Sequence, residues 1–207
     1  MKSADTPTLR QSLLAARSAI PDSRRQMLSV QIKQHILDWL QGRHQDCRLP
    51  DRTTIGSIAG FWPIRDEPDM ISLLHDLHTL GHDISLPVIE QRDAPLHFYR
   101  WSPDTPLRRG AFNIPEPQVD TPAILPSLIL VPTLGYTRDG HRLGYGKGYY
   151  DRTLHALAQQ DHNTLSVGIG WDEGLIDGSY LPAAHDMPLD AIVTPGGWIV
   201  PARNGAD

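Results

Sequence analysis

The sequence predicts a three-layer α/β/α sandwich around a mostly parallel, open sheet, and three observations carry that prediction. Strand-like and helix-like segments alternate along the chain, which is the order that places helices on both faces of a parallel sheet. Leu128-Ile-Leu-Val131 is a short, wholly apolar run of the kind found in a strand covered on both faces, so it belongs at the centre. Two polar loops, Trp62 to Glu67 and Arg142 to Asp151, follow predicted strands, and in such sheets ligands bind beyond the carboxyl ends of the strands.

Two helices open the chain. Leu9, Leu13, Leu14 and Ile20 recur at helical spacing, and after a break at Pro21 a second pattern runs through Met27, Val30, Ile32, Ile36, Leu37 and Leu40. Thr54 to Trp62 has the β-branched and aromatic content of a strand, and PIRDEPD after it is a loop. A third helix is expected from Asp69 to Leu80, with Met70, Leu73, Leu74, Leu77 and Leu80 as its apolar stripe and Gly81 at its C-terminus. Asp83 to Ile89 reads as strand. Residues 91 to 126 are proline-rich and carry one strand-like piece, LHFYRW at 96 to 101. Beyond the central strand come a helix from Tyr149 to Gln160, a strand from Leu165 to Ile169 and a last strand from Ala191 to Thr194. No internal repeat or low-complexity tract interrupts this order.

The length of 207 residues suits one sizeable core, and a single domain over 1–207 is expected. A net charge of −5, with 40% apolar and 21% charged residues, describes an ordinary globular protein without the basic face of a nucleic-acid binder. One cysteine, Cys47, excludes an internal disulfide and a cysteine-rich metal site. The opening MKSADTPTLRQ lacks the apolar core of a signal peptide and no run reaches transmembrane length, so a cytoplasmic protein with no membrane partner is expected. The ten histidines show no zinc spacing, and neither HExxH nor GxSxG occurs.

The segment Arg142-Leu-Gly-Tyr-Gly-Lys-Gly-Tyr-Tyr-Asp151 carries the most chemistry. Gly144, Gly146 and Gly148 let the backbone bend and approach a ligand closely. Arg142 and Lys147 supply positive charge, and a helix starting at Tyr149 would aim its free N–H groups at the same place. A carboxylate at Asp151 makes sense beside phosphate-binding cations when a divalent cation lies between, since Mg²⁺ takes one or two carboxylates plus substrate oxygens. The spacing is neither the Walker pattern nor GxGxxG, so the competing reading is a tight strand-to-helix connection over packed Tyr149 and Tyr150 with solvated charges. Elsewhere, Arg10 on the first helix is placed to reach a phosphate or to sit in solvent. Trp62 and Glu67 offer an aromatic face and a carboxylate acceptor to a heterocycle with N–H donors, or form a buried tryptophan and a solvated glutamate. Asp186, before the last strand, is a second candidate Mg²⁺ carboxylate or a turn residue.

Taken in order, Leu9-Arg10, Asp66-Glu67, Leu86-Pro87-Val88, Pro115-Glu116-Pro117, Arg142 to Asp151 and His185-Asp186 before Val193-Thr194 resemble the 5-formyltetrahydrofolate cyclo-ligase family, also called 5,10-methenyltetrahydrofolate synthetases. The resemblance covers nearly the whole chain, and RLGYGKGYYDR from 142 to 152 is its most specific segment. It implies an architecture similar to that of sugar-phosphate isomerases and CoA-transferase-like proteins. It also implies cyclisation of 5-formyltetrahydrofolate at the expense of ATP, with Mg²⁺, through a phosphorylated formyl group. By the same resemblance Arg10 and the loop residues Arg142, Leu143, Gly144, Tyr145, Gly146, Lys147, Gly148, Tyr149 and Tyr150 bind ATP, and Lys147 and Arg142 are catalytic. Trp62, Glu67 and Tyr145 to Tyr149 bind the folate, and Asp151 and Asp186 hold the metal. Small-molecule substrates and a monomer are expected.

Three places depart from the family pattern. Thr6 stands where lysine is common, Tyr136-Thr137 where Phe-Asp is usual, and Gly174 where a glutamine is expected. Two other functions compete: an isomerase or transferase acting on a phosphate ligand, and a folate-binding protein without chemistry. Retention of Arg142, Lys147 and Asp151 argues against the second, because a pure folate binder needs no phosphate cradle.

Overall fold

The computed structural model describes residues 6–202 apart from 45, 47, 52–54, 121, 161 and 179, so Cys47 and the expected start of the first strand at Thr54 lie outside the described residues. In chain order the elements are α1 (Thr6–Ser18), α2 (Asp22–Leu40), β1 (Ser57–Ala59), α3 (Ile71–Thr79), β2 (Asp83–Val88), β3 (His97–Arg100), β4 (Leu107–Arg109), β5 (Pro115–Pro117), β6 (Leu128–Pro132), β7 (Gly135–Tyr136), β8 (Arg142–Leu143), α4 (Tyr149–Gln159), β9 (Leu165–Ile169), β10 (Ala191–Thr194) and β11 (Gly197–Ile199).

Seven strands form the main sheet in the order β11-β10-β9-β6-β1-β2-β3. The five inner strands run parallel, while β3 and β11 join antiparallel at the two edges. The apolar run at β6 is central, as expected, and its alternation divides the core. Leu128 and Leu130 meet Ile32, Ile36 and Trp39 of α2 and Leu73, Leu74 and Leu77 of α3 in one cluster. Ile129 and Val131 face the other way, into a cluster with Leu154 and Leu157 of α4. A strand rises about 3.3 Å per residue with side chains alternating between faces, so four apolar residues in succession need a cover on both sides. The result is the three-layer sandwich.

The first strand is shorter than its composition suggests. Gly60 N–H still donates to the Ser85 carbonyl at 2.9 Å, but a Cβ at Gly60 would lie 2.5 Å from Leu74 Cδ2, and from Phe61 the chain turns out over the end of the sheet. The last strand, β11, was absent from the expected order. Its signal was present: Pro195-Gly196-Gly197 is a turn sequence that lets Trp198 and Ile199 fold back on β10. The proline-rich segment contributes the small β4-β5 hairpin and a 3₁₀ turn at Ala111–Asn113.

Candidate functional site

The carboxyl ends of β1, β2 and β6 open into a cleft of about 590 Å³, and Trp62, Pro87 and Pro132 mark where those ends enter its wall. The remaining wall includes Glu67, Arg65, the 142–151 segment, Arg10, His185, Asp186 and the turn around Phe112. Every residue singled out in the sequence as a ligand contact lines this one cavity, across a separation of more than a hundred positions in the chain.

The glycine segment is built as a bent bridge between β8 and α4. Gly146 has φ +85° and Gly148 has φ +66°, conformations that L side chains adopt only at a cost, and Gly148 immediately precedes the first turn of α4. A Cβ at Gly146 would lie 3.2 Å from Arg10 Cζ, so the missing side chain is what lets the guanidinium come in. Arg10 Nε donates to the Gly144 carbonyl at 2.9 Å, tying α1 to the loop. Lys147 is exposed and lines the cleft, free to move toward an anion. Behind the loop, Arg152 donates to the Lys147 carbonyl at 2.9 Å and its guanidinium lies 4.9 Å from the Tyr149 ring centroid. Tyr149 and Tyr150 both pack on the α4 core and face the cleft, so the packing and binding readings of this pair are compatible.

Arg142 sits deeper than a simple phosphate contact would. It is buried, and its Nη1 donates to Asp151 Oδ1 at 2.9 Å and to the Met187 carbonyl at 3.2 Å. Met187 N–H also donates to Asp151 Oδ1, at 3.2 Å. Asp186, next to Met187, accepts from Ala183 N–H at 2.8 Å through Oδ2. Asp151 and Asp186 are thus brought to one wall with their orientations fixed by backbone groups. The hydrogen bonds described for Asp151 fall on Oδ1, which leaves its Oδ2 for another partner, while those for Asp186 fall on Oδ2 and its Oδ1 lies 3.7 Å from Nε2 of the exposed His185. Among the described residues no group of three or more His, Cys, Asp or Glu side chains could hold a metal ion, so a cation here would need ligand oxygens as well. That fits Mg²⁺, which binds through one or two carboxylates plus substrate phosphates.

The opposite wall is aromatic and acidic. Trp62 is half-buried, with one side on the core, and Glu67 is buried. Glu67 Oε1 accepts from the Tyr145 hydroxyl at 2.8 Å, and Oε2 accepts from Ile64 N–H at 2.9 Å. Burial pushes the Glu67 carboxyl above the ordinary carboxylate range, while the Ile64 N–H, the Tyr145 hydroxyl and the charges of Arg17 and Arg65 oppose the rise. Burial and the nearby Glu67 charge push the Tyr145 hydroxyl upward, so it stays protonated and donates. The loop that carries Glu67 turns through Arg65 and Asp66 at φ +47° and +60°, and Trp171 Nε1 pins it by donating to the Asp66 carbonyl at 2.8 Å.

Two participants escaped the sequence reading. Phe112, at φ +56° and 60% exposed, stands at the cleft mouth with its ring 6.3 Å from that of Tyr149. Arg17 is buried behind Tyr145, and only its place two turns from Arg10 on the same face of α1 could have suggested it.

The sequence profile of the 5-formyltetrahydrofolate cyclo-ligase family matches residues 2–195. This chain belongs to that family. A 5-formyltetrahydrofolate cyclo-ligase of Mycolicibacterium smegmatis is 32% identical, over 94% of this chain and 96% of its own length. The Escherichia coli K12 cyclo-ligase is 33% identical over 67% of this chain and 78% of its own. The solved Aquifex aeolicus 5,10-methenyltetrahydrofolate synthetase superposes with a TM-score of 0.77 at 28% identity, covering 98% of this chain and 95% of that one. The Mycoplasma pneumoniae synthetase shares the fold, with a TM-score of 0.69 at 24% identity.

Two departures from the cyclo-ligase pattern fall together, away from the cleft lining. Tyr136 is buried, and a Cβ at Gly174 already lies 3.2 Å from its Cε1 and 3.0 Å from the Leu134 carbonyl. A longer side chain at 174 has no room beside that ring. Thr6 begins α1, one and a bit turns before Arg10, and Thr137 Oγ1 is buried with no hydrogen-bond partner among the described residues.

Proposed function

We propose that this chain is a single-domain, ATP- and Mg²⁺-dependent 5-formyltetrahydrofolate cyclo-ligase over residues 1–207, forming 5,10-methenyltetrahydrofolate and releasing ADP and phosphate. The observation that carries the proposal is one cleft in which a glycine-bent, cationic phosphate cradle faces an aromatic and carboxylate wall suited to a pterin. The same reading has it acting as a cytoplasmic monomer on small molecules; no described helix is long and apolar enough to cross a membrane.

The chemistry needs both walls. The formyl oxygen of an N-formyl group is a poor leaving group. Its attack on the γ-phosphorus of ATP forms a C–O–P linkage and expels ADP. The 10-nitrogen then attacks the activated carbon and loses its proton, and the C–O bond breaks with release of phosphate. Such a reaction is helped mainly by positioning and by neutralising charge on the transferring group. Arg10 and the backbone from Leu143 to Tyr150 would hold the phosphates, with Lys147 reaching the transferring one. Arg142 acts by fixing Asp151. Asp151 and Asp186 would hold Mg²⁺, which when bound supplies charge neutralisation to the phosphate oxygens. Glu67 would accept from pterin N–H groups, with Trp62, Tyr145 and Tyr149 against its ring.

Mixing the protein with 5-formyltetrahydrofolate and Mg²⁺, with and without ATP, and following the near-ultraviolet absorbance of the methenyl product tests the proposal. A rise that requires ATP supports it. Folate binding with no rise would favour a binding protein, and ATP turnover on another phosphate-accepting compound would favour a different transferase.

A further inference from the structure

Arg17 occupies a position that stability does not explain. Its side chain is 3% exposed, and its Nε has no hydrogen-bond partner among the described residues, a costly state for a guanidinium. Buried ion pairs are poor stabilisers relative to apolar packing, because both charges lose their hydration. Yet the rest of the group is held in place: Nη2 donates to the Thr133 carbonyl at 2.7 Å, and Nη1 to the Tyr145 hydroxyl at 2.7 Å. Tyr145 in turn donates to Glu67, whose Oε1 is 3.9 Å from Arg17 Nη1. Arg17 does not line the cleft, so it touches no ligand and acts through these two residues.

The electrostatics give the chain of contacts a purpose. Glu67 faces Arg17 from α1, Tyr145 from the glycine segment, Tyr150 from α4 and Arg65 from its own loop. Arg65 is exposed, with its guanidinium 5.2 Å from the Tyr145 ring centroid, and is screened by water. The neighbouring Asp66 is engaged by Arg25 at 3.1 Å and by Ser18 at 3.0 Å. Arg17 is therefore the buried cation that opposes the desolvation of Glu67. An ionised carboxylate only accepts hydrogen bonds, whereas a protonated one presents a donor.

We propose that Arg17 is a positioning residue for ligand recognition: by holding the Tyr145 hydroxyl and facing Glu67 it keeps that carboxylate in the acceptor form, so that the cleft selects a heterocycle presenting N–H donors. This rests on the reading that Glu67 binds the folate. Its consequence is a pH dependence of binding. Ligand affinity is lost as pH falls through the Glu67 pKa, roughly tenfold for each further pH unit below it. Removing Arg17 raises that pKa, so the loss begins at higher pH.

The test is the dissociation constant of 5-formyltetrahydrofolate between pH 6 and 9, read by tryptophan fluorescence, for wild type, R17M, R17K and E67Q. As pH falls, R17M is expected to lose affinity at a higher pH than wild type does and, as pH rises, to converge on wild type, with R17K restoring the wild-type profile. A loss of equal size at every pH, or none, overturns the inference. Should R17M fail to fold, Y145F carries the test, since it removes a bond that favours the ionised form; an unmoved profile there also overturns it. Wild-type affinity in E67Q would instead refute the role of Glu67 itself, which distinguishes the two failures.

Discussion

Gly146→Ala tests whether the glycine segment is a preorganised cradle. At φ +85° an alanine is strained by about 1–2 kcal/mol relative to glycine. Its Cβ would also sit 3.2 Å from Arg10 Cζ, a tight contact that displaces the guanidinium bonded to the Gly144 carbonyl. The two effects together amount to about 1–3 kcal/mol, borne by an exposed loop rather than by the core. At about 1.4 kcal/mol per tenfold, the cradle conformation becomes about 5 to 140 times rarer, and kcat/KM for ATP falls by a similar factor. ADP release measured against ATP concentration, with thermal unfolding recorded alongside, reads both sides of the argument. Gly144→Ala provides the folding comparison, because its added Cβ meets no protein atom within 4 Å and should leave Tm unchanged. A Gly146→Ala enzyme within twofold of wild type for ATP would refute the reasoning.

Three further outcomes are expected. Lys147→Ala should lower kcat by about 10²–10³ while changing the dissociation constant of 5-formyltetrahydrofolate little, because the exposed ammonium acts on charge present in phosphoryl transfer; an unchanged kcat contradicts its role. Asp186→Asn keeps an oxygen for the Ala183 N–H but removes the charge, so the Mg²⁺ concentration giving half-maximal rate should rise about tenfold; an unaltered requirement removes Asp186 from the metal site. Leu130→Ala, at a fully buried position in the middle of β6, should cost about 2–5 kcal/mol in urea unfolding, and a loss below about 1 kcal/mol would contradict the two-sided burial of that strand.

The layers of the fold were legible because they rest on local patterns. Four apolar residues at 128–131 cannot be an edge, and the stripe through Leu73, Leu74 and Leu77 has one helical face. The edges were less legible. β11 is three residues long and half-buried throughout, so it shows neither an apolar run nor a clean alternation, and only its turn announces it. The small hairpins near 107–117 and 135–143 depend on long-range support: Gly110 is crowded by the Glu116 carboxylate, and Ile176 N–H donates to the Tyr136 carbonyl. For the cleft, glycine and charge in one segment exposed the phosphate side. The pairing of Arg142 with Asp151 was not visible, since residues nine apart meet only because β8 and α4 fold back on each other. Arg17 looked like any surface arginine of α1; what distinguishes it is the Thr133 carbonyl 116 positions away.

Labelling the formyl oxygen of 5-formyltetrahydrofolate with ¹⁸O, allowing a single round of turnover with ATP, and weighing the released phosphate measures the central claim directly. Phosphoryl transfer to that oxygen leaves the label in inorganic phosphate, one atom for each methenyl group formed. Unlabelled phosphate, with methenyl product still appearing, would mean that the cleft does not bring the γ-phosphate to the formyl oxygen and would contradict the account.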